Sequence, residues 1–461
     1  MTQLHDLTAG QQLAELRART ISSVDLTEHY LDRVMRLDEQ LGAFVEITAE
    51  LAHHEALAAD TELARGSSLP LLGIPLAYKD LFAVAGVRAT LGSRAIDIVP
   101  TVNGHTVGLL RAAGAVTLGT THAPELGPTC FTQSDVVGRP AVTPFDTSRY
   151  ASGSSGGAAA AVAAGLLPFA HGSDGAGSLR TPAAVCGLVG VKPSRGVLRG
   201  APGFLSWSTE GPLARSVADA ALLLDVMASP SDLYGLPMSG FSAALATPLR
   251  EPLRVFAFTD SGLSDVEPAL LDVHSAAVAV LRGLGHEVVE GDNPVPWSDE
   301  LIHHLTVIVT SSVASAAAQM GDPALLQPYT RFCLERARAF SAAEFAAAQG
   351  ALALAAATTL SSFSSVDVVL SPVTSASARP IGWFEEEGEG EECGRRMLDW
   401  SAFTPWANLT GQPALSLPFD LVDGVPAGIQ LTAAPGADLL LLRVAAQLEQ
   451  ARPFGHHPPQ W

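Results

Sequence analysis

Apolar residues recur at helical spacing early in the chain, as Leu26, Tyr30, Val34 and Met35 in a stretch that Ser22 or Ser23 can cap. The pattern predicts helices over residues 11–65, packed outside the core. Two short apolar runs, 73–76 and 115–119, each follow a helical stretch and read as strands, so that Lys79 comes just after a strand end. The alanine-rich run 158–170, broken by Pro168, reads as a buried helix. From residue 253 the alternation resumes with a strand at 253–258, an apolar-faced helix at 269–281 stopped by Gly283 and Gly285, and a strand at 287–289. Residues 301–362 read mainly as helix, 366–373, 414–419 and 429–433 as strands, and 439–450 as a closing helix. Strands alternating with helices in this way predict an α/β fold. No internal repeat is visible.

Composition narrows the class. Of 461 residues 48% are hydrophobic, and the mean hydropathy of +0.26 rests on Ala, Leu and Val, enough to fill a large core. No run reaches the eighteen or so uninterrupted apolar residues of a membrane helix. A formal charge of −20 disfavours nucleic acid and anionic membranes, which both call for a basic surface. Cys130, Cys186, Cys333 and Cys393 stand far apart with no CxxC pair, so neither a disulfide framework nor a metal site is expected. The N-terminal MTQLHDLTAG has neither a basic region nor an apolar core, and a cytoplasmic protein is expected. Residues 385–392 hold six carboxylates in eight positions, which reads as a solvated, mobile loop, with a cation-attracting rim of the functional site as the lesser alternative.

The chemistry concentrates in residues 151–182, where two clusters of glycine and serine bracket the alanine run. Glycines let successive backbone N–H groups point inward, which is how a chain builds an anion-binding turn. Ser178 follows Gly175-Ala176-Gly177 where such a turn meets the next element, so its hydroxyl would have free amides beside it. Serine needs a base, and no G-x-S-x-G elbow surrounds Ser178. Lys79, at the end of the apolar run beginning Leu71-Leu72-Gly73-Ile74, is the candidate.

Three segments then match one pattern in order: Gly153-Ser154-Ser155-Gly156-Gly157; Gly172-Ser173-Asp174-Gly175-Ala176-Gly177-Ser178-Leu179-Arg180; and Cys186-Gly187-Leu188-Val189-Gly190-Val191-Lys192-Pro193. The chain resembles the amidase signature family, with further similarity at residues 211–219 and 408–414. Two departures, Ser152 and Ala176 where glycine is common, leave the reactive positions untouched.

The resemblance implies one α/β/α domain over 1–461 around a mixed, mostly parallel twisted sheet, with the N-terminal helices packed on it and 290–400 as a variable substrate-pocket segment. It implies Ser178 as nucleophile, Ser154, with a cis peptide bond, as proton bridge, and Lys79 as base. It further implies an oxyanion hole from the amides of Gly175, Ala176, Gly177 and Ser178, with Ser155, Asp174 and Arg180 in support. Phe131, Phe204, Trp207, Trp383 and Trp406 fall in segments bordering the family's active site and are the expected pocket aromatics. His122 and His171 lie near the motif and represent a rival, histidine-dependent base. The expected reaction is hydrolysis of a small apolar, aryl or aminohexanoate-type amide, with esters and urethanes open, and no metal or cofactor. Oligomeric state is left open, a homodimer included. Two other readings stand beside it. One is the glutamine-hydrolysing subunit of a tRNA-dependent amidotransferase, whose Met-Asp-Glu-Phe-like loop is replaced here by His122-Ala123-Pro124-Glu125-Leu126. The other is a binding relative without catalysis, disfavoured by the presence of Lys79, Ser154 and Ser178.

Overall fold

The computed structural model describes residues 3–199, 207–228, 239–388, 390–458 and 461. Phe204 lies outside them.

Side-chain caps open the first helices: Thr8 accepts from the Gln11 N–H ahead of α1 (Ala9–Ala18), and Ser22 from the Asp25 N–H ahead of α2 (Ser23–Leu41). Leu26, Tyr30 and Val34 of α2 are buried in the main core while Met35 is exposed, so these helices are part of the core rather than outside it. Next come β1 (Phe44–Ile47), α3 (Ala49–Ala64), β2 (Pro75–Lys79), α4 (His105–Ala112) and β3 (Val116–Thr121), in a three-stranded sheet of order β1-β3-β2. The second strand begins at Pro75, which makes Lys79 its last residue instead of the residue beyond it.

The signature segments follow as β4 (Val142–Thr143), β5 (Asp146–Tyr150), α5 (Gly156–Ala163), β6 (Phe169–Asp174), α6 (Arg180–Cys186), β7 (Val189–Lys192) and β8 (Thr209–Ala214). The alanine helix is buried as expected but stops at Ala163, and Phe169 and Ala170 belong to a strand. Beyond lie α7 (Val217–Met227), α8 (Phe241–Leu245), β9 (Arg254–Ala257), α9 (Pro268–Gly283), β10 (Glu287–Glu290), α10 (Asp299–Ala317), α11 (Pro328–Arg338) and α12 (Ala342–Ser362). The chain closes with β11 (Val368–Pro372), α13 (Glu391–Trp400), α14 (Pro405–Thr410), β12 (Ala414–Val422), β13 (Val425–Ala433) and α15 (Asp438–Ala451).

An eight-stranded mixed sheet of order β10-β9-β11-β13-β12-β7-β8-β6 forms the centre. Parallel pairing in it is confined to β10-β9-β11, and the other five neighbouring pairs are antiparallel, so the parallel share is smaller than expected. The tight turn at Asp423-Gly424 accounts for one of these, since a two-residue connection can only return a strand antiparallel. α6 lies close on the sheet because Gly190 of β7 has no side chain: a Cβ there would stand 2.5 Å from the Leu179 carbonyl oxygen.

Helices α10 and α12 form a separate layer with their own small apolar cluster, Leu301, Val307, Ile308, Ala348, Leu352 and Ala355. By length and composition alone α12 could cross a bilayer. Its Ala348, Leu352, Ala355 and Thr359 are buried, with most other positions facing outward.

Candidate active site

Lys79 enters the site from the end of β2, a strand whose every residue is buried. Its Nζ lies 2.8 Å from Ser154 Oγ, 2.9 Å from Ser155 Oγ and 3.1 Å from Ser173 Oγ. Burial lowers its pKa to about 7, against the pull of the Asp174 carboxylate, which favours the charged form. Ser154 and Ser155 come from the turn between β5 and α5, and the Gly153–Ser154 peptide bond is cis. Ser155 donates its hydroxyl to the Ser173 carbonyl oxygen at 3.1 Å, and its N–H reaches the Ser178 carbonyl oxygen at 3.3 Å. The two serine turns are thereby tied to each other.

Ser178 sits in the turn between β6 and α6, partly exposed to a cavity of about 570 Å³ that Gly175, Ala176 and Gly177 also line. Asp174 shapes this turn. Its carboxylate accepts from the Gly177 N–H at 2.7 Å, the Leu179 N–H at 3.1 Å, Arg180 Nε at 3.0 Å and Asn408 Nδ2 at 3.0 Å. Burial would raise its pKa, but the Arg180 guanidinium, Lys192 and the Asn408 amide together hold it well below the ordinary carboxylate range. Arg180 is itself fully buried and also donates to the Thr404 carbonyl at 2.9 Å, Gln430 Oε1 at 2.7 Å and Asn408 Oδ1 at 2.6 Å. Because the Gly177 N–H is spent on Asp174, it is not a donor to the cavity, contrary to expectation; the amides of Gly175, Ala176 and Ser178 are the remaining candidates. Gly177 itself is required, with φ +130° and a Cβ position 2.2 Å from Thr404 Oγ1.

The histidines are held elsewhere. Both nitrogens of His122 are engaged, Nδ1 with the Gly42 carbonyl at 2.9 Å and Nε2 with Ser134 Oγ at 2.8 Å, and burial pushes its pKa down to about 4. His171 Nε2 pairs with Glu210 at 2.7 Å while its ring meets Phe82 edge to face. A second buried lysine, Lys192 of β7, has its pKa lowered to about 7 by burial, helped by nearby Arg180, and Nζ bonds the Pro193 carbonyl at 3.0 Å.

Of the expected pocket aromatics, Trp207 lines the cavity. Three others do not, each for a packing reason. Phe131 stacks on Phe384 in the core, Trp406 packs on Phe363 in a second apolar cluster, and Trp383 stands between the guanidinium groups of Arg379 and Arg396. The cavity wall is instead made by Trp297, Leu305, Tyr329, Phe332, Met397 and Leu409 together with Trp207. The acidic stretch is more organised than a solvated loop: Glu386 and Glu387 pair with Arg396, and Glu391 and Glu392 open α13 at the cavity.

Sequence reasoning gave no role to Ser173, Thr404, Asn408 or Gln430. Ser173 stands inside the quoted signature, and Gln430 is a lone amide in an apolar strand, a polar residue that burial obliges to find partners.

Similarity to known proteins runs along nearly the whole chain. The Amidase family profile matches residues 25–442. AmiB2 of Mycobacterium tuberculosis, a presumed amidase, is 38% identical, covering 98% of this chain and 97% of its own. A glutamyl-tRNA(Gln) amidotransferase subunit of Azotobacter vinelandii is 35% identical over 99% of this chain and 100% of its own. The solved structure of 6-aminohexanoate cyclic dimer hydrolase with its substrate superposes with a TM-score of 0.90 at 29% identity, covering 99% of each chain. With a buried lysine meeting two serine turns in that fold, the chain belongs to the amidase signature family and is an amide-hydrolysing enzyme.

Proposed function

We propose that this enzyme cleaves amides through an acyl-enzyme on Ser178, with Ser154 and Lys79 carrying the proton. The observation that carries the reading is the set of three hydroxyls within 2.8–3.1 Å of one buried amine, with the Ser154-Ser155 turn tied to that of Ser178 through the Ser155 N–H. A neutral lysine has two N–H donors and one lone pair. Ser155 has already given its proton to the Ser173 carbonyl, so towards Lys79 it accepts. Ser173 takes the second donor, and the lone pair is left for the Ser154 hydroxyl.

That assignment fixes the direction of transfer. As Ser178 Oγ bonds the amide carbon, its proton passes to Ser154 Oγ while the Ser154 proton passes to Lys79 Nζ. The carbonyl oxygen, now negative, meets the N–H groups of Gly175, Ala176 and Ser178. Lys79 returns its proton through Ser154 to the departing nitrogen, and the C–N bond breaks. Water then attacks the ester along the same relay and releases the acid. Asp174 and Arg180 hold the nucleophile turn without touching the reacting atoms. The apolar cavity suits a small aryl, aliphatic or aminohexanoate-type amide, and an ester or urethane would enter the same relay.

The test is the purified chain alone with an amide panel. Turnover without ATP, tRNA or a partner, and an intact-mass acyl adduct mapped to Ser178, are expected. An adduct elsewhere overturns the assignment. The identity to an amidotransferase component gives the rival reading, which wins if only glutamine is deamidated and only after partner proteins are added.

A further inference from the structure

The charged residues lining the cavity are unevenly distributed. Among the described residues they are Asp299, Glu391, Glu392, Asp399 and Arg395, four carboxylates against one guanidinium. Arg395 is not free to receive an anion, because Glu392 holds it on one side and Asp399 on the other. Asp299 and Glu391 are exposed and enter no ion pair among the described residues. They come from different elements: Asp299 begins α10, and Glu391 begins α13. Acids in a first turn suit the helix dipole wherever a helix points. The dipole does not require that both N-termini open on the cavity that reaches Ser178.

The rest of the lining is mostly apolar, with Trp207, Leu305, Tyr329 and Phe332 among its side chains and Thr129, Thr306 and Thr310 as polar members. A ligand that fills the cavity therefore has an apolar body, and any polar end it carries at the mouth meets uncompensated negative charge. A cleft with charge of one sign raises the local concentration of opposite ions and depletes like ions, an effect that salt removes.

We propose that the cavity takes amides with an apolar body and an amine end that is protonated at neutral pH, and turns away amides ending in a carboxylate. This rests on the amidase reading above and names its substrate class. Asp299 and Glu391 are its specificity-determining residues, acting on binding and not on bond cleavage.

Two matched series test it, one varying the acyl end and one the amine end. The first is the heptanoyl, aminohexanoyl and adipoyl p-nitroanilides. The second is the benzoyl amides of hexylamine, diaminohexane and aminohexanoic acid. In at least one series the cationic member should exceed the anionic one in kcat/KM by about tenfold or more at low salt, chiefly through KM. The ratio should collapse near 1 M salt, where the Debye length is about 3 Å. The double variant Asp299→Asn, Glu391→Gln should cut the ratio by about threefold or more. Glu50→Gln, a loss of exposed charge outside the cavity, should leave the ratio unchanged. Cationic and anionic members cleaved alike in both series, or a ratio that the double variant leaves untouched, would overturn the proposal while the amidase reading stands. If no member of either series is cleaved, the apolar-amide reading fails first, and this proposal fails with it.

Discussion

The two sides of the cavity are built on different terms. On the sheet side, Lys79, Ser155, Ser173, Asp174 and Arg180 are buried, and each polar group finds its partner in another element: β2 with the α5 turn, β6 with α6, α6 with α14 and β13. On the helical side, α10, α11 and α13 offer apolar surface with carboxylates at the mouth, and α10 and α12 keep an apolar cluster of their own. A buried polar group must be matched by partners of fixed type and place, or it costs free energy; an apolar wall tolerates any filling of about the right volume. The difference separates what the enzyme does from what it does it to.

Substitution on the two sides should therefore fail in different ways. On the sheet side, Ser178→Ala and Lys79→Ala should each lower kcat by about 10³-fold or more with the fold retained, since each removes one step of an interdependent relay. Circular dichroism beside kinetics checks this, and a variant with near-normal kcat would remove that residue from the relay. Next in size, Asp174→Asn leaves the fully buried Arg180 charge without its counter-ion and should cost about 3–5 kcal/mol in a denaturant titration. On the helical side, Trp207→Ala should raise KM by roughly tenfold for an aryl substrate with kcat little changed, as expected when uniform binding is lost. If the wall variant lost kcat and the buried-pair variant stayed stable, the division between the two sides would be wrong.

The same division decides what was legible in the sequence. Groups that must match leave a spaced record: Ser154, Asp174, Ser178 and Arg180 stand in the signature and Lys79 at the end of the apolar run before it, and the structure brings Lys79 and Ser154 within bonding distance and joins Asp174 to Arg180. The strands carrying them were read less well. In β6 and β8 the runs His171-Gly172-Ser173-Asp174 and Thr209-Glu210-Gly211-Pro212 interrupt the apolar alternation, because a strand next to a polar site carries the site's residues in place of core residues. The aromatics were the least legible. Phe131, Trp383 and Trp406 border the motif in sequence, yet whether a ring faces a cavity or a core depends on how distant helices pack, and Trp383 was claimed by Arg379 and Arg396.

The smallest expected effect is a matter of pH, and it separates two lysines with the same surroundings but different neighbours. Burial lowers both Lys79 and Lys192 to about 7, far below the ~10.4 of an exposed lysine. In the unfolded chain each would hold its proton up to about 10.4. Between about 7 and that value the unfolded state therefore binds more protons, so stability rises with pH across the window and is least below it. Both lysines contribute to that slope, and Lys192→Met should flatten it in part. Activity should follow only one of them. Lys79 must be neutral to accept a proton, so kcat/KM should rise through an acid limb near 7 that belongs to the Lys79–Ser154–Ser178 group as a whole. Lys192 bonds only the Pro193 carbonyl among the described residues, and its Met variant should leave the limb in place. His122→Asn and His171→Asn should leave it too, since His122 is held neutral between Gly42 and Ser134 and His171 is paired with Glu210. A limb that vanished with either histidine, while Lys79→Ala stayed active, would make that histidine the base and return the two serine turns to a structural role.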